Sequence, residues 1–320
     1  MPLHTIQKEL LVHMSLFLGS GDRKRLSCTA KPFKNLDIEK ALCSESVTID
    51  GYLLNKIRLY TLPDTTNQDI DQPRAEASAT AIKELVIASD AAKDLTNDDL
   101  TKLAKLGFIH EKTEVINLNL CRQITDLSPL ASCTELKDLN LIFCDQITNL
   151  SPLTSCTALT SLDLEECKQI TNLSPLASCT ALTSLDLSYC EQITDQILNT
   201  LSVLPELTSL NLRWCNQITE LNPLASCTAL TKLDLSFCKQ ITDLSTLPVL
   251  PALTSLDLDG CHQITDLRPL AACTALTNLN LNGCFRITDL SPLASCTALT
   301  SINLRESNQI TNFSPLANCS

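Results

Sequence analysis

The sequence predicts an α/β solenoid: short parallel strands line an inner curved wall, short helical segments return behind them, and a small all-α module precedes the array. Three observations carry this. A 23-residue phrase recurs from Leu136 onward, cysteines fall on two fixed positions of that phrase, and the first 44 residues follow helical spacing instead.

The phrase reads L-T-S-L-D-L-x-x-C-x-Q-I-T-x-L-S-P-L-A-S-C-T-A. Units begin at Leu136, Leu159, Leu182, Leu207, Leu230, Leu253, Leu276 and Leu299. A less regular unit begins at Thr113, and a degenerate first repeat is expected at 82–112, on Ile82, Leu85 and Ile87. The unit at Leu182 has 25 residues, because Gln196–Leu204 replaces the shorter L-S-P-L phrase. Within each unit, L-x-L gives a strand with its leucines on one face. The x-x-C-x-Q-I-T stretch turns, and L-S-P-L-A-S-C returns as a short helical or 3₁₀ segment, with Pro in its first turn and Ser or Asn as a cap. One unit buries seven or eight apolar side chains, worth about 1.5–3 kcal/mol each. It must order 23 residues at about 1–2 kcal/mol each, so stability comes only from stacked neighbours.

These repeats resemble the leucine-rich-repeat family, whose fold is a right-handed horseshoe with a parallel concave sheet. The C-x-Q-I-T turn is similar to the cysteine-containing subclass found in F-box proteins, and L-S-P-L to bacterial repeats of the internalin type. The resemblance covers 113–320 strongly and 82–112 weakly. It implies a protein-binding arc and no catalysis.

Position 9 of the phrase carries Cys121, Cys144, Cys167, Cys190, Cys215, Cys238, Cys261 and Cys284, with Ser307 in the last unit. Position 21 carries Cys133, Cys156, Cys179, Cys227, Cys273, Cys296 and Cys319, with Leu204 and Leu250 as substitutes, so the site is apolar. No C-x-x-C occurs, and spacings of 11 and 12 do not cluster ligands for a metal. Each thiol is expected to be a small buried hydrophobe with a weak S–H donor, which at position 9 can satisfy turn carbonyls. No metal or other cofactor is expected.

Positions 3, 5, 7 and 8 face the inner wall. Position 5 alternates Asn and Asp from Asn117 to Asn303 and is read as a structural polar column, since outward strand positions default to polar. Position 8 reads Leu120, Phe143, Glu166, Tyr189, Trp214, Phe237, Gly260, Gly283 and Glu306. Of 11 aromatics in the chain, four sit here, with the single Trp among them; such a row points to an interface. The expected target-binding patch is Phe143, Glu165, Glu166, Tyr189, Arg213, Trp214 and Phe237. The alternative reading has the rings lying flat over the strand ends to shield the turn.

Net charge is −12, of which residues 113–320 hold −11 and residues 1–44 hold +3. An acidic array repels phosphate backbones, so nucleic acid is excluded as a partner and a basic protein surface is favoured. No apolar run is long enough to span a membrane. Leu10–Leu18 lacks the flanks of a signal peptide, so the thiols are read as reduced and the chain as cytoplasmic. The four His are scattered and no nucleophile–base set or phosphate loop appears, so the chain is not expected to be an enzyme. Its final unit stops inside a repeat, which predicts an apolar end face and end-to-end self-association.

In residues 1–44, Ile6, Leu10, Met14, Phe17 and Leu18 recur at helical spacing; Gly19–Gly21 ends that helix, and Asp22 caps a second one carrying Leu26, followed by Phe33 and Leu36. This string resembles an F-box. The resemblance implies docking to a Skp-type adaptor of a cullin ubiquitin ligase through Ile6, Glu9, Leu10, Leu11, Met14, Phe17 and Leu18. A eukaryotic module joined to bacterial-type repeats implies an effector of an intracellular bacterium, acting in the host cytoplasm. The bland alternative is a helical cap that seals the first repeat. Residues 45–81 are expected to be a connecting segment, with Thr61–Ala79 as a loop. Leu95–Leu106 is expected to be an amphipathic, capped helix.

Overall fold

The computed structural model describes residues 46–59 and 82–318. The expected adaptor-docking residues Ile6, Glu9, Leu10, Leu11, Met14, Phe17 and Leu18, and the Thr61–Ala79 loop, lie outside these. Among the described residues, eleven strands form one sheet in strict chain order, every neighbour pair parallel. They are β1 (Ser46–Ile49), β2 (Glu84–Ile87), β3 (Val115–Asn117), β4 (Asp138–Asn140), β5 (Ser161–Asp163), β6 (Ser184–Asp186), β7 (Ser209–Asn211), β8 (Lys232–Asp234), β9 (Ser255–Asp257), β10 (Asn278–Asn280) and β11 (Ser301–Asn303). Corresponding repeat positions pair across strands, such as Leu162 with Leu185 and Leu185 with Leu210. The 25-residue unit therefore absorbs its two extra residues behind the sheet. They go into a helical turn at Asp195–Leu198 that runs on into 3₁₀ at Asn199–Val203.

Each strand from β3 to β10 turns one Leu or Ile inward between two partly exposed or exposed polar or Val positions. The leucines at positions 1, 4, 6, 15 and 18, Ile at 12 and Cys at 9 and 21 form one continuous apolar core. The L-S-P-L-A-S stretches are 3₁₀ helices of five residues, such as Ser128–Ser132 and Ser174–Ser178. Ser or Asn is the first residue of these helices rather than the cap. The capping oxygen comes from Asp or Asn at position 14, which accepts from the N–H of position 16 at 2.8–3.0 Å, as in Asp126 to Ser128 and Asn172 to Ser174. One unit departs: Ser245–Leu250, with Pro248 and Pro251, makes this return without a 3₁₀ helix.

The sheet begins earlier than the repeat phrase. In the segment expected to be a connector, β1 pairs with β2 and buries Val47 and Ile49 at alternate positions, and α1 (Gly51–Leu59) buries Leu53, Leu54 and Ile57. Asp50 caps α1 by accepting from Leu53 N–H at 2.7 Å. A helical turn, α2 (Ser89–Ala92), and the expected amphipathic helix, α3 (Asn97–Lys105), follow β2. Thr96 and Asp99 form a full capping box on α3. Arg58 of α1 reaches both Asp99 oxygens, at 2.8 and 2.6 Å. Burial alone would raise the Asp99 carboxyl, but the bonds from Arg58 and Thr96 outweigh it and hold it below the usual range. The ion pair thus fixes α1 against the first helix of the array. Among the described residues no helix is long and apolar enough to cross a membrane.

A candidate protein-interaction surface

The inner wall is built from hydrogen bonds that repeat with the phrase. At the start of each strand, Thr at position 2 donates its hydroxyl to the position 2 carbonyl of the preceding unit, from Thr160 to Thr300, at 2.9–3.1 Å. At the end of each strand, position 5 accepts through Oδ1 from the N–H of position 7. This holds at all nine positions from Asn117 to Asn303, at 2.7–3.2 Å. The polar column is therefore a set of side-chain turns that end the strands, a structural role that the default polarity of outward strand positions did not reveal.

Next comes a tight turn in which the N–H of position 9 returns to the carbonyl of position 6, as in Cys144 to Leu141. Its third residue, position 8, has a left-handed backbone throughout: Leu120, Phe143, Glu166, Tyr189, Trp214, Phe237 and Glu306 lie at φ 58–66°, and Gly260 and Gly283 at 70° and 69°. That geometry sends the position 8 N–H across to the position 7 carbonyl of the next unit, as in Tyr189 to Arg213 and Trp214 to Ser236. It extends the sheet ladder past the strand. Left-handed geometry costs a side-chain-bearing residue about 1–2 kcal/mol and costs Gly nothing.

The cysteines close the core behind this turn. Cys144, Cys167, Cys190, Cys215, Cys238, Cys261 and Cys284 each donate Sγ–H to the position 6 carbonyl of the preceding unit at 3.0–3.2 Å. Ser307 makes the same bond with Oγ at 2.8 Å to Leu281. The second column makes longer bonds, such as Cys296 to Leu270 at 3.4 Å and Cys156 to Leu130 at 3.7 Å. Burial pushes the thiols up, Cys238 and Cys284 to about 12, so they stay protonated donors at neutral pH. Among the described residues no group of three or more His, Cys, Asp or Glu is placed to hold a metal.

All seven expected target-binding residues are half-buried rather than sunk in the core. Four of them come together. Tyr189 stacks on Trp214 at 5.9 Å and 14°, and Trp214 on Phe237 at 4.9 Å and 6°. Arg213 lies 4.7 Å above the Phe237 ring, 3.5 Å from Tyr189 Oη and 3.2 Å from Ser236 Oγ. The hydrogen bond to Tyr189 raises the Arg213 guanidinium further. Lys239, which sequence reasoning missed, stands 4.5 Å over Trp214. The rings thus pack on one another and remain partly exposed. Phe237 also lies on a turn, where it covers Gly260 so closely that an added Cβ would sit 2.7 Å from its ring.

Phe143 stands apart, because Glu166 occupies the intervening unit. Arg122 lies 5.4 Å from the Phe143 ring, and Glu166 pairs with Lys168 at 3.0 Å. Glu165 lies on the other side of the same strand end, among Asp163 and Asp186. Burial, then the charges of Asp186 and Glu166, raise its carboxyl. Burial also pushes Asp163 up to about 6, with Asp186, Glu165 and Asp138 adding to the effect. Beyond the Gly260 gap the aromatic row resumes one step outward: His262 stacks on Phe285 at 5.0 Å, and its Nδ1 lies 2.8 Å from Gly283 O. Both sit at position 10, and two glycines at position 8 were the signal that could have revealed the shift.

An open parallel sheet with a side-chain-bearing inner wall defines a solenoid that presents an arc to other molecules. The family pattern described as Leucine Rich repeats (2 copies) matches residues 157–202, 205–249, 251–295 and 274–318. The chain belongs to the leucine-rich-repeat proteins. Among solved structures, it is similar to an internalin from Listeria monocytogenes, with 25% identity over 88% of this chain and 86% of that one and a TM-score of 0.55. It is also similar to internalin C2 from the same organism, with 31% identity over 71% of this chain and 81% of that one and a TM-score of 0.43. No curated protein sequence matches.

Proposed function

We propose that the chain is a protein–protein interaction scaffold that holds a target on its concave face, across Phe143, Glu165, Glu166, Tyr189, Arg213, Trp214 and Phe237. One observation carries this reading: four aromatic side chains occupy left-handed turn positions where Gly fits without strain, and they remain half-exposed. A turn needs no aromatic there, whereas a binding surface gains large contact area from one. Trp214→Ala is expected to abolish capture of a target from eukaryotic cytosol while moving the melting temperature little. Equal loss of binding and folding would sink the reading.

The helical spacing and F-box-like residues of 1–44 add a second element. On that resemblance the chain is a substrate-recognition subunit, with Ile6, Glu9, Leu10, Leu11, Met14, Phe17 and Leu18 docking a Skp-type adaptor and catalysis left to partner subunits. Such a role would fit a bacterial effector working in a host cytoplasm. The full chain is then expected to co-elute with a purified Skp-type adaptor, and Leu10→Asp to release it. Absence of a complex leaves the scaffold with a helical cap as its description.

A further inference from the structure

We propose that the segment gripped by the concave face is a basic one: its Lys or Arg side chains settle on the carboxylates of Asp163, Glu165 and Asp186, while its apolar side chains lie along the exposed parts of the Tyr189, Trp214 and Phe237 stack. The proposal rests on the concave face being the binding surface and names the chemistry of what binds there.

The charge balance of that face supports it. From the unit at Thr113 to the last, positions 3, 5, 7 and 8 carry nine carboxylates and three cations. Of the cations, Arg213 is committed to Tyr189, Ser236 and the Phe237 ring. Asp163 and Asp186 face each other in register on β5 and β6, and Glu165 follows Asp163 by two residues. Neither these aspartates nor Glu165 has a cation within ion-pair distance among the described residues. Nearby carboxylates on other rows do find one: Glu114 meets Lys137 and Lys83, and Glu166 meets Lys168 and leaves Glu165 alone. Their oxygens instead hold the turn or each other's neighbours, as Asp163 holds Glu165 N–H and Asp186 holds Ser188 and Asn211. Half-buried like charges gathered with no ion-pair partner, and with only the more distant Arg213 acting on Glu165, destabilise the free protein, and a bound cation relieves them. The stack lies within one or two units of this group, so one segment crossing the strands meets both. A polyphosphate chain would be repelled by the same carboxylates.

The single tryptophan of the chain, Trp214, stands in the stack and reports directly. Two acetylated decapeptides serve as probes, one alternating Lys and Ala, the other Glu and Ala, titrated against the full chain at physiological salt. The Lys peptide is expected to change Trp214 emission saturably and the Glu peptide to leave it unchanged. The triple variant Asp163→Asn, Glu165→Gln, Asp186→Asn should lose at least tenfold in affinity. Asn keeps the turn at the two aspartates, since Asn117, Asn140 and Asn211 make the same bond. Asp126→Asn, Asp243→Asn, Asp289→Asn removes as much charge from the position 14 turns, where Asn149, Asn172 and Asn312 serve natively, and should bind as the parent does. No response to the Lys peptide, or equal loss in both triples, overturns the proposal. A response confined to the Glu peptide overturns the charge assignment while leaving the concave face as the binding surface, which the Trp214→Ala capture experiment tests separately.

Discussion

Gly260 and Gly283 occupy the same left-handed turn position, yet they are not equivalent. A Cβ at Gly260 would sit 2.7 Å from the Phe237 ring, whereas one at Gly283 would sit 3.4 Å from His262. Both alanine variants carry the left-handed cost of about 1–2 kcal/mol. Gly260→Ala must also push Phe237 off its seat, so it is expected to be the less stable of the two by about another 1–3 kcal/mol, and to disturb Trp214 emission. Equal destabilisation in parallel denaturant melts would show that the ring moves freely. At this scale the sequence reveals part of the site. An aromatic row in an aromatic-poor chain is visible without coordinates, and so is its break at Glu166. The left-handed backbone is signalled only by the two glycines, because a bulky residue such as Phe, Tyr or Trp is an outlier there.

The turn between strand and helix is the element that gives the array its cohesion. From Cys144 to Cys284, each position 9 thiol ties its unit to the carbonyl of the unit before it, and Ser307 shows that a hydroxyl serves the same purpose. Cys238→Ala leaves the Leu212 carbonyl without that donor and opens a small void, an expected loss of about 1–3 kcal/mol. Cys238→Ser keeps the donor and should lose less than the alanine variant. A Ser variant that melts below the Ala variant would mean that apolar packing, not the bond, is what the thiol supplies. The cysteine columns, the strands and the 3₁₀ returns were all legible because they repeat. The Thr hydroxyl ladder and the two sets of Asx turns repeat as well. They were hidden because Thr, Asn and Asp on a strand face read as ordinary wet surface until the partner atoms are seen. Outside the phrase, β1 and α1 escaped notice: Val47 and Ile49 alternate as strand residues do, but nothing in their neighbourhood echoes the consensus, and 24 residues separate α1 from β2.

For the whole molecule, the buried thiols make folding depend on pH from the alkaline side. Burial raises Cys133, Cys144, Cys238 and Cys284 to about 12 and Cys179 to about 11, against about 8.5 in an unfolded chain. Below about pH 8.5 both states hold their thiol protons and this contribution to stability is complete. Above it the unfolded chain releases protons that the folded one keeps, so stability falls as pH rises toward the folded values. Because the units share one core, the loss should be collective. Under reducing conditions the melting temperature is expected to stay level from pH 6 to 8 and to drop steeply beyond pH 9. A level profile to pH 10.5 would mean that the thiols reach solvent far more readily than their burial implies.

The in-register pairing has a consequence for how such a chain can change. The ladder bonds between units join fixed repeat positions, so removing residues 159–181 as one block would bring the ends of the neighbouring units into the register they already use. Phe143 would then become the direct neighbour of Tyr189, and a divided row of rings would become a continuous one. Recombination between near-identical coding segments could thus edit the length and composition of the gripping surface in whole steps, without requiring a new fold at any stage.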